Sequence, residues 1–167
     1  MTPDTTETEF DPSEYDLTIT RTFDAPRERV WEAWTEPARV EQWWGPEGFT
    51  STVHEMDVRP GGTFRIDMEA PDGTVYPDEG DFHEVDEPER LVITSRAFED
   101  DDGSYRLEVR NAVTFADRGD TTELTLEAEV LKATEDMAGP LEGMEQGWSQ
   151  SLDELAESVD RSAAGSA

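Results

Sequence analysis

The sequence predicts an α+β fold in which one curved antiparallel sheet wraps around a long C-terminal helix. Six stretches between residues 53 and 130 alternate apolar and polar side chains and are separated by turn-forming residues. That pattern is typical of an antiparallel sheet with one face in water. The apolar residues from about 134 to 160 instead recur at three- and four-residue steps, which is typical of an amphipathic helix. We expect the apolar stripe of this helix to pack on the inner face of the sheet.

One strand and two helices are predicted before the six strands. The first strand is indicated by apolar residues that alternate with threonines: Leu17, Ile19 and Phe23. Arg21 has the same parity as these residues, so we expect it to lie near a strand end or to meet a carboxylate. A helix opens at Asp24-Ala25-Pro26 and ends before Pro37, and a second short helix runs to about Trp43. The predicted order is therefore β-α-α-β6-α.

Glycine and proline turns separate the six later strands. The strands are predicted at 53–58, 64–69, 75–85, 91–96, 106–115 and 123–130. Clear hairpin signals lie at Pro60-Gly61-Gly62, Asp72-Gly73 and Gly119-Asp120. We expect residues 15–161 to form a single domain, preceded by a disordered acidic tail at 1–14 and followed by a disordered tail at 162–167.

The charge of the chain is its most unusual compositional property. It has 42 acidic and 13 basic residues, a formal net charge of -29, and a single lysine, Lys132. A net charge of about 2–8 in magnitude is enough to keep a small domain soluble. Self-repulsion of this size destabilises a compact state, and molar salt screens it. The composition therefore predicts a salt-adapted cytoplasm as the working environment.

The same composition excludes several classes of function. No extended basic patch is available for nucleic acid or an anionic membrane. The chain has no cysteine, so disulfides, thiolate nucleophiles and cysteine metal sites are excluded. The N-terminal residues form no signal peptide, and no apolar run reaches membrane-spanning length. We expect a soluble cytoplasmic protein without a cofactor.

Several local motifs resemble the START-like (SRPBCC) helix-grip superfamily. Within it, they are similar to the branch named after the C-terminal domain of the activator of the Hsp90 ATPase. The matching stretches lie at 19–26, 30–31, 43–46, 57–65, 80–85, 88–91 and 147–148. Together they span about residues 15 to 160. Most are turn and packing residues, so they indicate an architecture more than a chemistry.

The resemblance implies a ligand cavity between the sheet and the long helix. Its candidate lining residues are those that the predicted elements direct inward: Trp43, Trp44, Phe64, Ile66, Met68, Tyr76, Phe82, Glu84, Asn111, Met144 and Trp148. The pair Trp43-Trp44 also fits a simple hydrophobic plug between the second helix and the sheet. Both interpretations hold together if the cavity is lined by core residues.

The polar candidates are few. If Phe82 points inward, strand alternation directs Tyr76, Asp78 and Glu84 inward too, unless a bulge intervenes. An inward Glu84 would have a raised pKa and could act as an acid or base; the alternatives are an arginine partner or a position in solvent. His54 and His83, the two histidines, do not make a metal site, and no serine lies in a nucleophile-elbow context. We expect no catalytic residues and no metal.

Three functions remain open at this point. The first is non-enzymatic binding of a small apolar or aromatic molecule, indicated by aromatic residues that converge from three elements. The second is an enzyme of the polyketide cyclase or aromatase type, which shares this architecture and needs polar groups in the cavity. The third, implied by the resemblance, is a chaperone-interacting module. The acidic surface and the short segment before the fold argue against it.

Overall fold

The computed structural model describes residues 12–45, 48–99 and 102–166, and seven strands of these residues form one antiparallel sheet. The strands are β1 (Leu17–Phe23), β2 (Thr50–Met56), β3 (Thr63–Glu69), β4 (Val75–Asp86), β5 (Arg90–Glu99), β6 (Tyr105–Asp117) and β7 (Thr122–Ala133). Their order across the sheet is β1-β7-β6-β5-β4-β3-β2. This arrangement confirms the predicted α+β helix-grip fold.

Hairpins generate most of the strand order. Each strand from β2 to β7 pairs with its neighbour in sequence, as the turn signals predict. β1 then pairs with β7, with Leu17 opposite Ala128 and Phe23 opposite Thr122. The first and last strands of the domain are thereby neighbours, and β1 and β2 are the two edges of the sheet.

In the described part of the chain, four α-helices cover one face of the sheet. They are α1 (Arg27–Thr35), α2 (Pro37–Trp43), α3 (Ala138–Glu142) and α4 (Met144–Ser166), and two short 3-10 helices lie at Pro12–Tyr15 and Glu135–Met137. The sequence predicts a continuous last helix from about residue 134, which is wrong: the helix breaks at Gly143. Glycine is a poor helix former, which fits the break at Gly143, whereas Pro140 lies in the first turn of α3, where proline is tolerated.

The structure describes only part of the two predicted tails. Residues 1–11 of the expected acidic tail lie outside the described residues, whereas Pro12–Tyr15 forms the first 3-10 helix. At the other end, α4 continues to Ser166, beyond residue 161, where the sequence predicts that the ordered domain ends. Ala163 and Ala164 are strong helix formers and do not oppose this extension.

The main core lies between the inner face of the sheet and the helices α1, α2 and α4. Its most buried large side chains come from all of these elements and include Phe23, Val30, Trp43, Ile66, Phe82, Phe115, Leu126, Leu152 and Leu155. A second, smaller cluster lies under α3 and is built on Val130, Met137 and Leu141. None of the described helices is long and apolar enough to cross a membrane.

Candidate functional site

Five aromatic rings from four elements meet between the sheet and α4. The Trp34 ring on α1 lies 5.9 Å from the Trp148 ring on α4, nearly parallel at 20°. It lies 4.6 Å from the ring of Trp43 and 6.3 Å from that of Trp44, both at the end of α2. The Trp44 ring in turn contacts Phe64 on β3 at 6.4 Å. We call these five residues the aromatic cluster.

Backbone and side-chain hydrogen bonds hold the end of α2 against the cluster. The Trp43 indole Nε1 donates to the carbonyl of Ala33 at 2.8 Å. The hydroxyl of Ser51 donates to the carbonyl of Trp44 at 2.5 Å, and that of Ser151 on α4 donates to the carbonyl of Gly45 at 2.8 Å. All three bonds are buried, so they fix both tryptophans and connect the segment after α2 to β2 and α4.

The space enclosed beside this cluster has a volume of about 10 Å³. Its walls are apolar and come from six elements: Trp34, Trp44, Met56, Phe64, Ile66, Phe82, Leu91 and Ile93. A water molecule needs roughly 10–15 Å³ of such space, so this interior holds one water at most. The open cavity that the resemblance implies is closed in this structure, because the tryptophan and phenylalanine rings fill it.

Seven of the eleven predicted lining residues lie at or near this space. Trp44, Phe64, Ile66 and Phe82 line it directly. Trp43 and Asn111 are buried beside it, at 1% and 2% exposure, and Trp148 is half-buried against the rings. Met56 on β2 lines it too and is absent from the predicted set, and so are Trp34, Leu91 and Ile93. Their inward faces follow from the α1 periodicity and the β5 pattern, which are the signals that would have found them.

Three other candidates lie away from this space. Met68 packs half-buried against the edge of the main core. Met144 belongs to the second cluster, under α3. Tyr76 is 37% exposed, and its ring lies 6.1 Å from Phe49 and 6.2 Å from Phe98. These placements remove Tyr76 and Met144 from the aromatic interior.

The inward orientation considered for Glu84 is wrong. The pairing of β4 with β5 shifts between Phe82 and Glu84, so His83 forms a β-bulge. A bulge adds one residue to its strand and reverses the faces that follow. Glu84 is exposed, and the Arg90 guanidinium donates to its carboxylate at 3.3 Å. Two of the alternatives left open by the sequence, an arginine partner and a position in solvent, therefore hold together.

The bulge leaves Asp78 on the inner face. Asp78 precedes His83 on β4 and keeps the parity of Phe82, and it is 7% exposed. It lies opposite Ile66, which lines the enclosed space. Burial raises the pKa of Asp78 to about 7; hydrogen bonding to the Trp44 and Ser95 side chains opposes this increase, and the nearby Glu79 charge adds to it. Asp78 thus has the inward position that strand alternation predicts, and it is a titratable group of the interior that the candidate lining residues do not include.

Three buried polar atoms of this region have no hydrogen-bond partner in the described residues: Trp34 Nε1, Asp78 Oδ1 and Asn111 Oδ1. Trp34 lines the enclosed space, and Asn111 lies opposite Ile93, another of its walls. Directly opposed residues have Cβ atoms about 5 Å apart. One donor and two acceptors are therefore left unpaired around an apolar interior. Such groups are costly unless a water or a ligand satisfies them.

The outer face of the sheet carries a second concavity of about 340 Å³. Its charged walls already form ion pairs: Arg65 lies 3.5 Å from Glu79, and Arg96 lies 2.7 Å from Asp81. Tyr105 donates its hydroxyl to Glu79 at 2.5 Å. This groove therefore presents a neutralised network, and we assign no ligand to it.

The histidines make local contacts on the sheet. His54 Nε2 lies 2.9 Å from the Asp67 carboxylate, and His83 Nε2 lies 2.5 Å from the Thr94 hydroxyl. Within the described residues, no group of three or more histidine and carboxylate side chains is arranged to hold a metal ion.

Comparison with known proteins places this geometry in a family. A family model described as Activator of Hsp90 ATPase homolog 1-like protein matches residues 24–160. Among solved structures, a protein from Chromobacterium violaceum is 29% identical with a TM-score of 0.77, over 87% of this chain and 97% of that one. A Silicibacter pomeroyi protein that bears the same family name is 26% identical, with a TM-score of 0.73 over 88% and 99% of the two chains.

A third structure supports the fold alone. The solution structure of an Arthrobacter aurescens protein has a TM-score of 0.80 at 23% identity and covers 92% of this chain and 90% of that one. No functionally curated protein matches the sequence significantly.

Proposed function

This chain belongs to the family of Activator of Hsp90 ATPase homolog 1-like proteins, of the START-like helix-grip superfamily, and we propose that it binds a small aromatic or apolar molecule between its sheet and α4 without converting it. The fold is one that holds ligands in general. The observation that carries the proposal is the pairing of apolar walls with unpartnered polar atoms: Trp34 Nε1, Asp78 Oδ1 and Asn111 Oδ1. A ligand with an apolar body and a polar group would satisfy both.

Binding requires the interior to open, since about 10 Å³ admits no aromatic ligand. Trp148 is the ring that we expect to move. It is half-buried, whereas Trp34, Trp43 and Trp44 are at most 8% exposed. It also lies near the N-terminal end of α4, just after the break at Gly143. Displacement of this one indole from the face of Trp34 would enlarge the space without unfolding the sheet.

The absence of turnover follows from the polar groups of the interior. The buried polar side chains of the described residues are Ser51, Asp78, Thr94, Asn111, Thr122, Ser151 and Ser158, and Asp78 alone among them titrates. A cyclase-type reaction needs an acid and a base, or a nucleophile, positioned against one substrate. One carboxyl group is enough to orient a ligand, so we favour binding over catalysis.

The interior ligand is also favoured over a chaperone partner. A stable protein interface needs a well-packed apolar centre. Among the described residues, the large hydrophobic side chains with high exposure are Val75 and Tyr76 on β4 and Leu131 on β7. β4 and β7 are separated by two strands, so these residues do not form one patch. We propose a salt-rich cytoplasm as the location, because the net charge of -29 needs screening.

Fluorescence titration with N-phenylnaphthylamine, a neutral aromatic probe, tests the proposal in molar KCl. We expect saturable binding at one site with energy transfer from tryptophan. Ile93→Phe fills the enclosed space and should weaken binding by about tenfold. Leu131→Ser removes an exposed apolar side chain far from that space and should leave binding unchanged. Circular dichroism verifies that both variants are folded.

Two results would contradict the proposal. The first is no saturable binding by the wild-type protein. The second is binding that Leu131→Ser weakens and Ile93→Phe does not, because the probe would then lie on the surface. Mass spectrometry of any bound compound after long incubation tests the second half of the proposal. A product that forms with wild type and not with Asp78→Asn would promote the enzyme alternative.

A further inference from the structure

Asp78 is a buried carboxyl group without a counter-ion. It is 7% exposed, and none of the ion pairs formed by the described residues includes it. Arg90 begins β5 and pairs with Glu84. The other two cations on the adjacent strands are Arg65 on β3 and Arg96 on β5. Both lie on the outer face of the sheet, where they pair with Glu79 and Asp81. An ionised carboxylate buried in this way is unfavourable unless a positive charge approaches it.

The immediate neighbours of Asp78 are neutral or aromatic. Ile66 and Ala97 lie opposite it on β3 and β5. The side chains of Trp44 and Ser95 hydrogen-bond to the carboxyl group, and its Oδ1 atom has no partner. The rings of Trp44, Phe64 and Trp34 continue from this point into the enclosed interior. A free acceptor therefore stands at the margin of an aromatic site.

We propose that Asp78 is the anchor for a protonated amine, so that the ligand class of the interior site is an aromatic or apolar amine. The Asp78 carboxylate pairs with the ammonium group, and the rings of Trp44, Phe64 and Trp34 contact its apolar body. This inference rests on the proposed function and specifies its ligand. Aromatic faces attract cations through their quadrupole, so the same walls that favour an apolar body also favour a positive head group.

Alternative head groups fit less well. A carboxylate would be repelled by Asp78 and by the overall charge of -29. A hydroxyl group could donate to Oδ1 but would leave the buried charge uncompensated, whereas an ammonium group donates a hydrogen bond and also supplies the opposite charge. The preference for an amine should thus come from Asp78 itself.

The preference of the site for an amine should depend on pH. Because burial raises the pKa of Asp78 to about 7, the group is a carboxylate above this pH and a neutral acid below it. Glu79 is the neighbouring acid on the same strand, and the groups that face Asp78 from β3, β5 and α2 are Ile66, Ser95 and Trp44, none of which is charged. Acidification should therefore remove the anchor and reduce selectivity for the amine.

Three ligands of matched size test the inference: phenethylamine, phenethyl alcohol and phenylacetate. Their affinities are measured by displacement of N-phenylnaphthylamine in molar KCl at about pH 8.5 and about pH 5.5, on either side of the Asp78 pKa. At the higher pH we expect the amine to bind about tenfold more tightly than the alcohol, and phenylacetate to bind most weakly. At the lower pH the amine and the alcohol should bind about equally.

Two variants that each lose one negative charge distinguish the effect of Asp78 from that of the overall negative charge of the protein. Asp78→Asn should abolish the preference for the amine, so that this variant binds phenethylamine and phenethyl alcohol about equally. Asp81→Asn removes a carboxylate from the outer face of the same strand and should keep the preference. Circular dichroism confirms that both variants fold. Equal affinities of wild type for amine and alcohol, or a preference that persists in Asp78→Asn, would overturn the inference.

The failure of this inference is distinguishable from that of the proposed function. If the probe and phenethyl alcohol bind without any preference for the amine, the proposed interior site is supported and the proposed role of Asp78 is wrong. If neither the probe nor any of the three ligands binds, the proposed function and the amine inference are both wrong.

Discussion

Arg21 on β1 and Asp153 on α4 join the first strand to the last helix. The Arg21 guanidinium donates to the Asp153 carboxylate at 2.6 Å and to the carbonyl of Ser149 at 3.3 Å. Arg21 has the inward parity of Leu17 and Ile19, and its side chain is 29% exposed beside the end of the core. The expectation that this arginine meets a carboxylate is confirmed. Asp153 is 67% exposed, so the pair orients α4 more than it stabilises the fold.

Folding should depend strongly on salt. With a net charge of -29, dilute buffer leaves long-range repulsion between carboxylates, whereas the Debye length is about 3 Å in molar salt. We expect the Tm measured by circular dichroism to rise steeply between dilute buffer and molar KCl. Glu127→Gln and Glu145→Gln each remove one exposed negative charge. Combined, they should raise the Tm in dilute buffer and have little effect in molar KCl. A Tm that does not change with KCl would contradict the salt-adapted environment.

The packing of α4 should be sensitive at Leu152 and less so at Trp148. Leu152 is 0% exposed, so Leu152→Ala should cost about 2–5 kcal/mol. A fully buried tryptophan would cost about 3–5 kcal/mol on truncation. Because Trp148 is half-buried, we expect Trp148→Ala to remain below that range. Urea unfolding in molar KCl measures both, with the exposed Glu145→Ala as the control. A loss below about 0.5 kcal/mol for Leu152→Ala would mean that α4 docks differently.

The fold was predictable because its signals are local. Alternation along most of β6 and β7 determines which side chains face the core, and the hairpin turns at Asp72-Gly73 and Gly119-Asp120 fix the order of the neighbouring strands. Periodicity predicted the inward stripe of α4 in the same way. The break at Gly143 was missed because an apolar repeat continues across it, although glycine is a poor helix former.

The site was less predictable, since it depends on tertiary detail. The bulge at His83 reverses the face of Glu84 and leaves Asp78 inside, and no residue of that segment signals a bulge. The enclosed volume is set by how closely the rings of Trp34, Trp44 and Phe64 approach one another, which the order of residues does not contain. Sequence patterns therefore identified the aromatic walls and the inward parity of Asp78, and missed the closure of the interior and the outward position of Glu84.

Gly80 on β4 should tolerate no side chain. A Cβ atom there would lie 1.8 Å from the carbonyl oxygen of Thr94 and 2.6 Å from the Phe64 ring. Gly80→Ala must therefore shift β5 backbone as well as a wall of the interior, and we expect severe destabilisation or insoluble expression. Gly139 offers the matched control, because a Cβ atom there meets nothing within 4 Å. Gly139→Ala lies in α3 directly before Pro140, whose ring opposes the gain in helix propensity, so we expect a change of at most about 1 kcal/mol in either direction. Equal stability of the two variants in thermal melts would contradict the close approach at Gly80.

Asp78 should make the free protein less stable as the pH rises. Burial raises the pKa of its carboxyl group from 3.8 to about 7, so between these values the unfolded chain has lost the proton that the folded protein still holds. Stability falls with increasing pH wherever the folded state binds more protons. The penalty is therefore absent below about pH 4, grows up to about pH 7 and is complete above it.

Asp78→Asn isolates this contribution from those of the other carboxylates. The amide is neutral at every pH, so the variant should gain stability over wild type as the pH increases from about 5 to about 8, by an amount on the order of a few kcal/mol. Urea unfolding of both proteins in molar KCl gives the difference at each pH, and Asp81→Asn should show no comparable gain. A difference between wild type and Asp78→Asn that stays constant across this interval would mean that Asp78 is ionised throughout, and that its carboxylate already has a compensating partner in solution.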